Sequence, residues 1–146
     1  MRLGSPECAG VSLRPFPRHE RRSWPKLGPV DTSKAARHWA NTWQHAWSTH
    51  DSAAIGALYG ENAHFQSHPF RDPEPAREYV ERVFADEASA DPEFAEPVVD
   101  GDRVVVEWRS RVQLRDGRHE NLVGVSLLRF DAEGLVSEQR DIWCQE

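Results

Sequence analysis

The carboxyl-terminal third of the chain contains three β-rich runs joined by two short turns, and this arrangement restricts the fold more than any other feature. The runs are Arg103–Leu114, His119–Phe130 and Leu135–Trp143, and the turns carry Gly117 and Gly134. Short glycine-bearing turns between such runs predict a meander, in which each strand pairs antiparallel with the next.

The middle run is apolar on both of its faces. Successive side chains of a strand point to opposite faces, and the apolar residues of this run occupy both: Leu122, Val123, Val125, Leu127, Leu128 and Phe130. A sheet with one hydrated face would show a cleaner alternation of apolar and polar residues. We therefore predict that one face covers helices and that the other, outer face forms the interface of a homodimer.

Amphipathic stripes upstream of the meander predict three helices. Asp31-Thr32-Ser33 can cap the first helix, whose apolar residues recur at spacings of three and four: Ala36, Trp39, Trp43, Ala46 and Trp47. A shorter helix, Ser52–Tyr59, is predicted to end at Gly60. The third helix is predicted to open at Asp72-Pro73-Glu74, and its buried stripe is Ala76, Tyr79, Val80, Val83 and Phe84.

A short strand is predicted between the second and third helices, within Asn62–Phe70. On a strand, His64 and His68 share one face, whereas Phe65 and Ser67 share the other. Two histidines four residues apart on a strand stand too far apart to chelate a metal readily, so no metal site is predicted.

The segment between the third helix and the meander is predicted to hold a linker and one strand. Residues 86–93 are acidic and contain Ala, Ser and Pro, which is typical of a linker. The strand Phe94–Val99 follows and turns at Asp100-Gly101 into the strand that begins at Arg103. The predicted order is helix-helix-strand-helix and then four antiparallel strands, which defines an α+β fold.

Length and charge limit the class of protein. The 146 residues fit one domain, and the net charge is −6. An acidic domain without a basic stripe argues against nucleic acid as a partner, and no run has the length and apolar character of a membrane span. The two cysteines, Cys8 and Cys144, form no disulfide framework, which favours a cytoplasmic location.

The amino-terminal 30 residues differ from the rest in composition. Residues 1–30 hold five prolines, three glycines and a net charge of +4, from six Arg and Lys against two Glu. This pattern predicts a disordered basic tail, or translation from a start codon placed too early. In the alternative, a basic arm that meets an acidic partner, Trp24 is the residue that would dock. The domain is predicted to span residues 31–146.

Several short motifs follow one another in this predicted order: Trp43…Trp47…Asp51…Leu58-Tyr59, Phe65-x-Ser-His-Pro-Phe70, Asp100-Gly-Asp102, Val106-Glu-Trp108, Gly124-Val125, Phe130-Asp-x-x-Gly134 and Arg140-Asp-x-Trp143. Over residues 35–144 they resemble the nuclear transport factor 2-like superfamily, and most closely its SnoaL-like group. The resemblance implies a cone, in which a curved, mixed, mostly antiparallel sheet wraps around helices. The superfamily includes ketosteroid isomerase-like enzymes, polyketide cyclases, dehydratases, epoxide hydrolases and non-catalytic binding or dimerising modules, so it implies no single activity.

Limonene-type epoxide hydrolases have motifs that can be compared residue by residue with this chain. They place an Asp-Arg-Asp relay in the cone, with a Tyr and an Asn that help to hold the attacking water. The resemblance puts the second Asp at Asp141, and the Arg and first Asp near Glu107 and Arg109, in swapped order. The Tyr falls on Phe65 and the Asn on Ser67, so the water-holding phenol is missing from this pattern.

The predicted catalytic residues are Asp141, Glu107 and Arg109. The predicted ligand-binding residues are Trp43, Trp47, Tyr59, Phe65, Ser67, His68, Leu122, Gln139 and Trp143. Desolvation in a tryptophan-walled pocket would raise a carboxyl pKa toward the value that a general base needs, and Arg109 or Arg140 would oppose that rise. In the alternative interpretation Glu107 belongs to a solvated ladder with Arg109 and Arg111, because the other face of its strand is more apolar. Asp141, likewise, would pair with an arginine on the neighbouring strand.

These residues predict a protein that binds a small apolar or carbonyl-containing molecule and uses no cofactor. The catalytic hypothesis is a lyase, isomerase or hydrolase that acts on an apolar carbonyl-bearing or cyclic metabolite by carboxylate acid–base chemistry. The alternative is a non-catalytic ligand-binding or assembly module of the same fold. The two hypotheses differ in whether Asp141 and Glu107 face one enclosed cavity.

Overall fold

The computed structural model describes residues 31–146, so the predictions for the tail, Trp24 and Cys8 lie outside the described residues. Three helices and six strands alternate in an α+β order, which confirms the predicted fold class. The helices are α1 Thr32–Thr49, α2 Ser52–Gly56 and α3 Ala76–Asp86; the strands are β1 Tyr59–Gln66, β2 Glu87–Phe94, β3 Val98–Asp100, β4 Arg103–Leu114, β5 His119–Phe130 and β6 Val136–Gln145.

The strands form one curved sheet in the order β1-β6-β5-β4-β2, and β3 extends it along part of β4. The pairs β4–β5 and β5–β6 are antiparallel, which confirms the predicted meander. β1 and β6 pair in parallel, whereas β2 and β3 pair antiparallel with β4. The sheet is therefore mixed and mostly antiparallel, as predicted.

The predicted linker over residues 86–93 is wrong, because this segment forms β2. Asp91 pairs with Arg111 and Glu93 with Arg109, so the hydrogen-bond ladder of the long strand β4 orders a segment of low strand propensity. Pro92 is tolerated because β2 lies at the edge of the sheet. The predicted strand Phe94–Val99 is accordingly divided between the end of β2 and the short β3, and five strands rather than four follow α3.

Two helix boundaries also differ from the prediction. α2 ends at Gly56, and Tyr59 already begins β1, which places Gly60 in a strand rather than in a helix cap. α3 begins at Ala76 with Pro75 at its cap position, instead of opening at residues 72–74.

The core lies between α1 and the inner face of the sheet. β4 alternates strictly between buried and exposed positions, and its buried side chains are Val104, Val106, Trp108, Ser110 and Val112. The predicted stripe of α1 is buried against this face, where Trp47 meets Trp108 with ring centroids 5.8 Å apart and Trp39 meets Phe94 at 5.5 Å. Asp31 and Asp51 cap α1 and α2 by accepting hydrogen bonds from Lys34 N and Ala54 N.

Candidate functional site

Asp141 lies on the inner face of β6, together with Gln139 and Trp143, as alternation predicts. Its side chain is 9% exposed and accepts hydrogen bonds from two residues, Ser126 and Gln139. The Ser126 hydroxyl donates to Oδ1 at 2.7 Å, and Gln139 Nε2 lies 3.0 Å from Oδ1 and 3.2 Å from Oδ2. Oδ1 is thus held by two partners, whereas Oδ2 has only the longer contact.

Aromatic donors fix the orientation of the two residues that hold Asp141. Trp39 Nε1 donates to Gln139 Oε1 at 3.2 Å, and the Tyr59 hydroxyl donates to the same oxygen. These bonds turn the Gln139 amide nitrogen toward Asp141. On the other side, Trp108 Nε1 donates to Ser126 Oγ at 3.0 Å, which leaves the hydroxyl proton for Asp141. The carboxyl therefore sits in a pre-organised hydrogen-bond network.

Burial raises the pKa of Asp141 to about 7, and the hydrogen bonds from Ser126 and Gln139 only partly oppose this rise. The predicted arginine partners are wrong. Arg109 bonds to Glu93, and Arg140 lies on the outer face, where Nε is 3.1 Å from Glu138. A carboxyl with a pKa of about 7 is suited to exchange a proton near neutral pH.

Glu107 and Arg109 do not join Asp141, so their predicted convergence in one cavity is wrong. Both side chains are exposed on the outer face of β4. The β4–β5 register runs without a bulge from Val104 to Gln113, so nothing shifts the alternation that turns Glu107 outward. The solvated position of the alternative interpretation is confirmed for Glu107, but the arginines pair with β2 instead: Arg109 Nε donates to Glu93 at 2.9 Å, and Arg111 lies 3.5 Å from Asp91.

The end of β1 and the loop that follows lie beside Asp141. Ser67 is 1% exposed, its carbonyl accepts a 2.7 Å hydrogen bond from Trp143 Nε1, and its hydroxyl has no hydrogen-bond partner within residues 31–146. The ring of His68 packs edge-on against Trp143 at 5.2 Å, and the guanidinium carbon of Arg71 lies 5.9 Å from the centroid of the same ring. This cluster forms one wall of the site.

Tyr79 of α3 contributes a phenol that no sequence motif indicated. Its ring packs on Phe65 with centroids 5.4 Å apart. Burial raises the pKa of Tyr79, and the nearby charge of Arg71 opposes this rise. The packing of Tyr79 on Phe65 places it beside the end of β1, which Ser67 follows.

Most of the predicted ligand-binding residues collect around Asp141. Trp43 takes part through its indole N–H, which donates to the Tyr59 hydroxyl at 3.1 Å. Trp47 and Leu122 do not: Trp47 donates to Glu87, and Leu122 lies four positions from Ser126, about 13 Å along a strand. Sequence reasoning missed several residues of the network, which are Trp39, Arg71, Tyr79, Trp108 and Ser126.

A second buried carboxyl occupies the other end of α1. Glu87 is 3% exposed and accepts a 3.0 Å hydrogen bond from Trp47 Nε1. His50 Nε2 lies 3.3 Å from Glu87 Oε2 without forming a well-aligned hydrogen bond, and the His50 ring stacks on Phe84. Burial raises the pKa of Glu87 to about 7 and lowers that of His50. This pair was not predicted, because Glu87 was assigned to the linker.

Two surface clefts accompany the site, and neither includes Asp141. The first, of about 530 Å³, lies on the outer face of the sheet and is called the outer groove. Two lines of side chains that neighbour one another across the strands border it: Glu93, Arg109, Val123 and Cys144 on one side, and Asp91, Arg111, Asn121 and Glu146 on the other. The second, of about 420 Å³, lies between β1 and the start of α3. Within residues 31–146, no three His, Cys, Asp or Glu side chains are grouped to hold a metal ion, and no helix is long and apolar enough to cross a membrane.

Solved structures of similar fold include enzymes and binding proteins. The epoxide hydrolase/cyclase-like enzyme SalBIII of pyran ring formation in the polyether salinomycin is 20% identical, with a TM-score of 0.66 over 77% of this chain and 92% of that one. A hypothetical protein with a ketosteroid isomerase-like fold from Catenulispora acidiphila, in complex with trimethylamine, is 17% identical, with a TM-score of 0.64 over 73% and 85%. An LEH-like epoxide hydrolase of M. tuberculosis is 14% identical, with a TM-score of 0.59 over 76% and 84%.

At these identities the structures show a shared fold and nothing more specific. No curated protein sequence shows significant similarity to the chain. The family model of the SnoaL-like domain matches residues 40–139, a range that begins within α1, contains β1 to β5 and ends at Gln139 in β6. The chain therefore belongs to the SnoaL-like family of the nuclear transport factor 2-like fold.

Proposed function

We propose that the protein is a cofactor-independent lyase, isomerase or hydrolase that acts on a small apolar, carbonyl-bearing or cyclic metabolite. The observation that carries this proposal is the environment of Asp141. Its carboxyl is buried, has no cationic partner among residues 31–146, is oriented by Ser126 and Gln139, and has a pKa of about 7. A group of this kind is suited to accept and return a proton at neutral pH.

The two carboxyl oxygens have different roles in the proposed chemistry. Oδ1 is occupied by the Ser126 hydroxyl and the Gln139 amide, so Oδ2 is the oxygen that exchanges a proton with the substrate. The Ser67 hydroxyl, which has no partner, and the Tyr79 phenol are the nearby donors for a substrate oxygen. Charge that develops on that oxygen would be stabilised by donors already in place.

The arrangement departs from that of limonene-type epoxide hydrolases. Phe65 replaces the tyrosine of their motif, and Glu107 and Arg109 lie on the outer face, so an Asp-Arg-Asp relay does not assemble around Asp141. The proposal therefore favours proton transfer by one carboxyl over activation of water by a relay.

Exchange of carbon-bound hydrogen tests the proposal without knowledge of the product. Candidate cyclic and aryl ketones are incubated with the protein in D₂O, and loss of the α-proton signal is followed by NMR. We expect Asp141→Asn to slow exchange by about 10²–10⁴-fold, the usual contribution of a general acid–base group. Glu107→Gln, which changes an exposed carboxylate on the outer face, is the matched control and should exchange at the parent rate. Exchange by Asp141→Asn within a few-fold of the parent would remove Asp141 from the catalytic role.

A non-catalytic binding module is the second candidate, and one observation favours it. Asp141 is surrounded by indole rings and hydrogen-bond donors, and neither of the two clefts described above includes it. A binding module would retain a ligand in a thermal-shift screen while the parent protein catalysed no exchange on it. The parent rate in the NMR experiment therefore separates the two candidates.

We also propose that the outer sheet face forms a homodimer. Val105, Val123 and Ile142 are 37%, 50% and 50% exposed there, an apolar patch beside the outer groove. Acidic and basic side chains both border the groove, so a second copy related by a twofold axis can place Arg109 and Arg111 opposite acidic residues. Light scattering at micromolar concentration should give twice the mass of the chain, and Val123→Lys should reduce it to the monomer mass. A monomeric parent would contradict the proposal.

A further inference from the structure

The loop between β1 and α3 holds Arg71 in a defined position beside the site. Its backbone N–H donates to the His68 carbonyl at 3.0 Å, and its carbonyl accepts a 2.9 Å hydrogen bond from Gln66 Nε2. The loop is tied down further by the N–H of Glu74, which donates to the Phe65 carbonyl at 3.0 Å. Arg71 is thus exposed, but its backbone is fixed.

The charge of Arg71 is not neutralised by a carboxylate within residues 31–146. Most other arginines there form ion pairs with acidic side chains, which is so for Arg37, Arg77, Arg82, Arg109, Arg111, Arg118, Arg129 and Arg140. Arg71 instead lies over the Trp143 ring, at 5.9 Å. Burial lowers the pKa of His68 and raises that of Tyr79, and the positive charge of Arg71 adds to the first effect and opposes the second.

A second observation points to a ligand at the same place. Ser67 Oγ is buried and has no hydrogen-bond partner in the described part of the chain. An unsatisfied buried hydroxyl costs about 1–3 kcal/mol and is uncommon in native structures. The Ser67 carbonyl accepts a hydrogen bond from Trp143 Nε1, and Arg71 lies over the same Trp143 ring, so the Ser67 hydroxyl belongs to the region that Arg71 borders.

We propose that Arg71 recognises the carboxylate of a small organic acid whose apolar body lies on Trp143 and whose reactive end reaches Asp141. This deepens the proposed function, on which it rests, by naming an acid as the substrate class. The planar guanidinium matches a carboxylate in a bidentate geometry. One unpaired cation balances one negative charge, so a monoanionic carboxylate fits better than a doubly charged phosphate ester.

Matched ligands that differ only in charge test this inference. Phenylacetate, phenylacetamide and phenyl phosphate are titrated into the parent protein, and binding is followed by ligand-observed NMR. We expect phenylacetate to bind at least tenfold more tightly than phenylacetamide and more tightly than phenyl phosphate. Arg71→Gln should abolish the preference for the acid over the amide, and Arg71→Lys should retain part of it. Arg118→Gln removes an equal charge from an exposed ion pair at the β4–β5 turn and should leave the preference unchanged.

The outcome is separable from that of the catalytic proposal. An acid preference that persists in Asp141→Asn and disappears in Arg71→Gln supports the inference even when no ketone exchanges a proton. The inference is overturned if the amide binds as tightly as the acid, if phenyl phosphate binds best, if Arg71→Gln keeps the preference, or if phenylacetate does not bind at 10-fold molar excess over millimolar protein.

Discussion

The protein is expected to lose about 3–5 kcal/mol of unfolding free energy between pH 5 and pH 8, because two buried carboxyls bind protons more tightly in the folded than in the unfolded state. The pKa values of Asp141 and Glu87 are raised from 3.8 and 4.5, respectively, to about 7. The folded state therefore keeps protons that the unfolded state releases across this window. Stability from these groups is complete below their unfolded pKa values and is lost as the pH rises toward 7.

His50 has the opposite effect on the unfolding free energy, in the acidic part of the pH range. Its pKa is lowered by burial, so its contribution is present above its ordinary pKa and is lost as the pH falls. Stability should consequently pass through a maximum on the acidic side of neutrality. Urea unfolding at half-unit pH intervals, followed by tryptophan fluorescence, would locate this maximum.

Replacement of each carboxyl by its neutral amide shows which residue causes the pH dependence of the unfolding free energy. Asp141→Asn and Glu87→Gln should each remove part of the slope between pH 5 and pH 8, and the double variant should be nearly flat. Each should also be more stable than the parent at pH 8, where the parent holds a buried charge without a cation beside it. Glu107→Gln, at an exposed position, should leave the slope unchanged. A parent protein whose unfolding free energy is constant from pH 5 to pH 8 would contradict both raised pKa values.

Truncation of Trp39 should be among the most destabilising single changes, at about 3–5 kcal/mol for Trp39→Ala. The side chain is 1% exposed, and its ring lies 6.0 Å from that of Trp43 and 5.5 Å from that of Phe94. The substitution opens a cavity beneath the sheet and also removes a donor from Gln139 Oε1. Trp39→Phe keeps most of the volume and should cost markedly less, which separates packing from the lost hydrogen bond.

An exposed aromatic provides the control for that series. Phe70 is 79% exposed, so Phe70→Ala should change the unfolding free energy by no more than about 0.5 kcal/mol. Urea unfolding at a single pH measures all three variants. A cost below 1 kcal/mol for Trp39→Ala would show that α1 does not anchor the core in the way its contacts indicate.

Local signals in the sequence were sufficient for the meander and for α1. Glycine-bearing turns and two-residue alternation identified β4, β5 and β6, and the tryptophan stripe identified the buried face of the helix. These signals depend on neighbours only a few residues apart. β2 carries no such local signal, because it is held in place by pairing with β4, which follows it in the chain. The buried position of Glu87, at the start of β2, was not predicted for the same reason.

The candidate site was predicted in part for the same physical reason. Alternation alone placed Gln139 and Asp141 on one face of β6, as the structure confirms. Alternation along β4 also indicated that Glu107 points outward, as the structure shows. The resemblance to a relay motif, which placed Glu107 in the cavity, was the weaker guide to its position. Ser126 becomes a partner of Asp141 only through the β5–β6 register, and Tyr79 only through the packing of α3 on β1. Such long-range geometry leaves no short-range pattern.

The parallel pairing of β1 with β6 has a consequence for synthesis on the ribosome. β6 lies between β1 and β5, although it is the last of the described strands to be made. Until it emerges, β1 and β5 both present open hydrogen-bonding edges, and such edges promote misassociation. Ser67, which follows β1, and Asp141, on β6, are far apart in the sequence, so the candidate site forms only when β6 has been made and pairs with both β1 and β5.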